Sequence, residues 1–125
     1  MCGILGVYNL DGQPFLHENL VNMAKQIAHR GPDGEGYYLK DNIGLAHKRL
    51  SIIDVSERGA QPMTSKDGKW VVVFNGCIYN FLELKQELKA KGHVFNSTTD
   101  TEVIVEGLSA YGPDFFERFN GMFAI

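Results

Sequence analysis

Trp70 to Phe74 reads WVVVF, five residues with no polar face. Successive side chains of a strand point to opposite sides of its sheet, so a strand that is apolar on both needs cover on both. The segment predicts a buried strand in a layered arrangement, sheets inside and helices outside. It is expected to end sharply at Asn75-Gly76, a common turn dipeptide.

Gly3 to Tyr8 predicts a first strand, with the Asp11-Gly12 turn behind it. Leu20, Met23, Ala24, Ile27 and Ala28 recur at helical spacing and predict an amphipathic helix from near Leu16 to Ala28. Gly and Pro make His29 to Gly34 a loop. Tyr37–Leu39 and Ile43–Leu50 predict two strands joined at Asp41-Asn42, with Ile43, Leu45, His47 and Arg49 on one face. Ser51 to Lys69 is a long irregular connection, of the kind that often carries function. Phe81, Leu84 and Leu88 mark a second helix closed by Gly92. Val94-Phe95 predicts a short strand. A third helix carries Val103, Ile104, Leu108 and Tyr111, with Asp100 or Thr101 as its cap. Pro113 is expected to open a fourth, short helix through Phe119, and Met122 to Ile125 to start another strand. Ending inside that apolar run, the chain is expected to be a truncated domain.

The 125 residues suit one domain, and the net charge of −3 with dispersed basic residues gives no reason to expect nucleic acid as a partner. No apolar stretch is long enough for a bilayer-spanning helix, and no signal-peptide pattern opens the chain, so no membrane partner is expected. The two cysteines, Cys2 and Cys77, make no disulfide framework, which points to a reducing, cytoplasmic setting. His17, His29, His47 and His93 show no metal-ligand spacing, so no metal is expected.

Cys2 is the residue that carries chemistry. Once the initiator methionine is removed, it presents a thiol and a free α-amine together. The amine is substantially a neutral base near neutral pH, and an adjacent base is what activates a thiol nucleophile. On position alone, a small residue after Met1 is the plainer reading.

Four segments shift that balance: MCGILG at the start, His29-Arg30-Gly31-Pro32-Asp33, Arg49-Leu50-Ser51-Ile52-Ile53-Asp54, and Phe74-Asn75-Gly76-Cys77-Ile78-Tyr79-Asn80. In order and spacing they resemble the glutaminase domain of class II, N-terminal-nucleophile glutamine amidotransferases. The resemblance covers essentially the whole chain. RLSIID and Gln61-Pro62-Met63 are most similar to the glutamine-dependent asparagine synthetases. The resemblance implies an α+β fold, a four-layer αββα sandwich. It implies hydrolysis of L-glutamine to glutamate, with ammonia passing to a synthetase domain or subunit that activates aspartate. ATP and magnesium belong to that further domain, and no cofactor is expected for this chain. Full-length members of the family admit a homodimer.

By the same resemblance, Cys2 is the nucleophile, and Asn75 and Gly76 form the oxyanion hole. Arg49 holds the substrate α-carboxylate, backbone groups of Leu50, Ile52 and Ile53 wall the pocket, and Asp100 holds the α-ammonium. Arg30 and Asp33 shape the loop around the nucleophile. Each has a plainer reading: a turn for Asn75-Gly76, a strand-end charge for Arg49, a helix cap for Asp100. At position 77 the chain departs from the family, whose motif reads Asn-Gly-Glu-Ile-Tyr-Asn. Cys77 replaces a substrate-binding glutamate, which predicts weaker glutamine binding. Two other functions remain open at this point: a silent remnant or binding module, and an amidotransferase with a different acceptor.

Overall fold

The computed structural model describes residues 1–51 and 57–125. Three antiparallel strands form the first sheet: β1 (Gly3–Tyr8), β2 (Gly34–Lys40) and β3 (Ile43–Arg49), in the order β1-β3-β2. Helix α1 (His17–Lys25) lies on one face of it, against β2 and β3. Leu20 and Ala24 are fully buried there, on Ala46 with Leu5, Val7 and Tyr37 around them. Met23, expected in the same stripe, stays exposed. The helix stops at Lys25 rather than Ala28, because Gln26 and Ile27 turn into a short 3₁₀ segment, Ala28–Arg30.

The opposite face of this sheet carries Ile4, His47 and Gly36, paired across the three strands, with Gly34 opposite Arg49 at its end. The second half of the chain covers that face. It holds two short ladders, β4 (Met63–Thr64) with β5 (Val71–Val72), and β6 (Asn75–Ile78) with β7 (Gly121–Ala124). Helix α3 (Asp100–Tyr111) packs on β4 and β5, and α2 (Phe81–Ala90) packs on α3. A 3₁₀ helix, Gly112–Arg118, closes against α3 and buries Phe115 completely. The larger core joins Val72, Phe74 and Ile78 to Leu84, Leu88, Val103, Ile104, Leu108 and Phe115. Helix, sheet, strands and helices follow one another as the αββα expectation requires.

Four further details differ from expectation. WVVVF is not one strand. Only Val71 and Val72 pair, with β4, and the chain then changes partner to β7. The break falls where the Phe74 N–H donates to the Gln61 side chain instead of a neighbouring strand. Val72, Val73 and Phe74 are nevertheless all buried, so the double cover holds. Asn75-Gly76 is therefore no turn but the start of β6. Val94-Phe95 is irregular, and neither Asp100 nor Thr101 caps α3. Thr99 does, its Oγ1 accepting the Glu102 N–H at 3.2 Å.

No helix among the described residues is long and apolar enough to cross a membrane.

Candidate active site

The sheet edge where β1 begins and β3 ends sets the position of Cys2. Its side chain is half-buried, and its sulfur lies on the backbone of Leu50, just past β3. The Leu50 N–H donates to Sγ at 3.3 Å, and the thiol approaches the Leu50 carbonyl at 3.5 Å. Leu50, expected to wall the substrate pocket, thus seats the Cys2 thiol. The Arg30 guanidinium donates to the Cys2 carbonyl at 3.1 Å, and Asp33 accepts the Ser51 N–H at 2.8 Å. Those two bonds tie the His29–Asp33 loop to both sides of the thiol, as expected of Arg30 and Asp33.

One cavity brings together residues far apart in sequence: Cys2, Arg49, Leu50, Asn75, Gly76 and Asp100 all line it, with Met1 at its rim. Cys77 does not. It is half-buried on the same strand face as Asn75, but it is not part of the cavity wall among the described residues. Ile52 and Ile53 lie outside the described residues.

Asp100 is only 4% exposed, at the first turn of α3. Its Oδ2 accepts the Ile78 N–H at 3.3 Å, and among the described residues no cation pairs with it. Burial pushes its carboxyl above the ordinary carboxylate range, against the pull of backbone donors at Ile78, Asp100 and Thr101.

Gln61 and His47 are among the lining residues that sequence reasoning did not assign to the site. Gln61 is buried between the strand before Asn75 and the start of α3. His47 is 1% exposed, and neither ring nitrogen has a hydrogen-bond partner among the described residues. The alternation along β3 predicts its face, but periodicity carries no information about what covers that face. Burial pushes the His47 imidazole down to about 4, and the Arg49 charge adds to the shift. The Phe74 backbone opposes it without meeting hydrogen-bond geometry.

A pH dependence follows. Above about pH 6.5 the imidazole is neutral in both folded and unfolded chain. As the pH falls toward 4, only the unfolded chain takes up the proton, so stability is lost on acidification. The full loss is roughly 3 kcal/mol, at about 1.4 kcal/mol per pH unit. Asp100 acts with the opposite sign, because its raised pKa lets the folded chain bind a proton first. Urea unfolding of the wild type and of His47→Gln from pH 7 to 4.5 isolates the histidine. The variant is expected to show the shallower acid slope, and parallel curves would refute this.

The whole chain, residues 1–125, matches the family model described as a glutamine amidotransferase domain. It is 43% identical to asparagine synthetase [glutamine-hydrolyzing] 1 of Bacillus subtilis, over 99% of this chain and 20% of that protein. It is 38% identical to asparagine synthetase B [glutamine-hydrolyzing] of Escherichia coli, over 99% of this chain and 22% of that one. The chain thus spans about a fifth of the length of these curated relatives. In fold it is similar to the glutamine phosphoribosylpyrophosphate amidotransferase of B. subtilis, with a TM-score of 0.80 over 97% of this chain and 34% of that one, at 18% identity. A cysteine at position 2 seated on a strand end, facing an Asn-Gly strand across one cavity, accords with that match along its full length, and the chain belongs to the glutamine amidotransferase domain family.

Proposed function

We propose that this chain hydrolyses L-glutamine to glutamate and ammonia through a γ-glutamyl thioester on Cys2. The ammonia then passes to a synthetase domain or subunit that uses ATP to amidate aspartate. The observation that carries the reading is the single cavity lined by Cys2, Arg49, Asn75, Gly76 and Asp100.

The steps follow from the groups in place. With Met1 removed, the Cys2 α-amine takes the thiol proton and the sulfur attacks the side-chain carboxamide carbon. The carbonyl oxygen becomes an oxyanion, faced by the Asn75 side-chain amide and the Gly76 N–H. The ammonium proton moves to the leaving nitrogen as the C–N bond breaks, and ammonia departs. Water adds to the thioester, glutamate leaves, and the thiol is regenerated. Arg49 offers a planar pair of donors to the α-carboxylate, and Asp100 a carboxylate to the α-ammonium.

Glutamate release measured over a wide glutamine range, with the mature N-terminus verified by mass, tests the reading. Iodoacetamide should label Cys2, and glutamine should protect it. A folded, Met1-free chain that neither releases glutamate nor is protected by glutamine would instead be a silent remnant.

Cys77 bears on the affinity. A hydrogen bond to a charged group contributes about 1.5–3 kcal/mol, roughly tenfold to a hundredfold in binding. Cys77→Glu places a longer, charged side chain on the Asn75 face of β6. It is expected to lower KM for glutamine by about that factor with little change in kcat, since the contact acts on substrate and transition state alike. An unchanged KM counts against the assignment.

A further inference from the structure

We propose that Gln61 is a positioning residue that locks the oxyanion side of the cavity to its ammonium side. The inference rests on the glutaminase reading above. Gln61 is 8% exposed, and both ends of its amide are engaged. Its Oε1 accepts the Phe74 N–H at 2.6 Å, and its Nε2 donates to Thr101 Oγ1 at 3.2 Å. The orientation of the amide is not arbitrary. A backbone N–H can only donate, so the oxygen faces Phe74 and the nitrogen faces Thr101.

Phe74 immediately precedes Asn75, and Thr101 immediately follows Asp100. One side chain therefore spans from the strand that aims the oxyanion donors to the helix start that carries the ammonium-binding carboxylate. Its own backbone is fixed from a third direction. A Cβ on Gly36 of β2 would stand 1.9 Å from the Gln61 carbonyl oxygen, so only glycine lets the first sheet lie this close. Gln61 is thus braced against the sheet whose edge seats Cys2. The Gln61 bond to Phe74 lies in the gap between β5, which ends at Val72, and β6, which begins at Asn75.

The two arms predict different kinetics. Displacing a catalytic group by about 1 Å can cost on the order of a hundredfold in rate. Gln61→Met keeps the length of the side chain and removes both hydrogen bonds. It is expected to lower kcat about tenfold to a hundredfold through Asn75. Thr101→Val cuts only the arm to α3 and is expected to raise KM severalfold with kcat nearly unchanged. Thr101→Ser restores the hydroxyl and should restore KM.

The experiment is steady-state glutamine hydrolysis by the full chain and these three variants. Thermal unfolding and the rate of Cys2 alkylation are followed alongside. A kcat loss in Gln61→Met with Cys2 alkylation at the wild-type rate supports the proposal, as does a KM effect in Thr101→Val that serine reverses. An unchanged kcat in Gln61→Met overturns it, and so does a Thr101→Val effect that serine does not reverse. If Gln61→Met fails to fold, the threonine pair decides alone. Absence of Cys2-dependent hydrolysis in the wild type is a separate outcome: it removes the glutaminase reading, and this inference with it.

Discussion

Cys2→Ala is expected to reduce glutamine hydrolysis by roughly 10⁴- to 10⁶-fold, the scale seen when a covalent nucleophile is removed. Two functions disappear together, because alanine can form no thioester and leaves the α-amine with no proton to take. On the proposed assignment, glutamine binding through Arg49 and Asp100, which line the same cavity, is left intact. The variant should therefore bind without turnover, and a glutamine-dependent shift in its melting temperature would show that. The fold should hardly notice the change. The thiol is half-buried, and among the described residues its hydrogen bonds are to the Leu50 backbone, at 3.3 and 3.5 Å. Glutamate release by Cys2→Ala within tenfold of the wild type would remove Cys2 from the mechanism.

Much of the cavity lining was legible because it includes marked residue types at marked places. A cysteine after the initiator, an Asn-Gly behind a buried run and an arginine at a strand end are visible without coordinates. The strand β1 was legible ahead of its Asp11-Gly12 turn, β3 through alternation, and α2 through its buried Leu84 and Leu88. The length of β2 was hidden by Gly34 and Gly36, which weaken a strand pattern yet pair along its whole run. The cap of α3 was missed although its signal was present: Thr99-x-x-Glu102 is a capping-box spacing. The Glu102 carboxylate reaches back to the N–H groups of Asn96 and Ser97. That frees Asp100 from capping duty and leaves it facing the cavity.

What could not be read was long-range. The Gln61 amide meets Phe74 and Thr101 across 13 and 40 residues of chain, and no local pattern announces either contact. The bond to Phe74 falls at the break in the WVVVF strand, against its uniform β propensity. His47 has the same lesson. Its strand face follows from period two, but its burial depends on segments that arrive later in the chain. Tertiary contacts overrode local preference at the residues that border the cavity, where local rules are most often broken for function.

Gly76→Ala is expected to be the most damaging substitution outside the nucleophile. Gly76 sits at φ +154°, a conformation that L side chains rarely adopt. Holding alanine there costs roughly 1–3 kcal/mol in backbone strain alone. A Cβ would also stand 2.2 Å from the Met122 carbonyl oxygen and 2.6 Å from the Phe123 Cα. Both are backbone atoms of β7, the partner strand, so no side-chain rotation relieves the overlap. Either β6 moves or β7 does, and the register Asn75–Ala124, Gly76–Phe123 is lost or distorted. Movement of β6 carries the Asn75 amide and the Gly76 N–H with it. Loss of a single oxyanion donor typically lowers the rate about 10²- to 10³-fold, and here both are displaced. The expected result is a kcat reduced by at least about 10²-fold, in a chain whose urea midpoint falls by an amount consistent with that strain. Alkylation of Cys2 should persist in the folded fraction, because β1 and β3 seat the thiol without help from β6. A Gly76→Ala chain with near-normal kcat would show that β6 does not carry the oxyanion donors, and would return Asn75-Gly76 to a purely structural part.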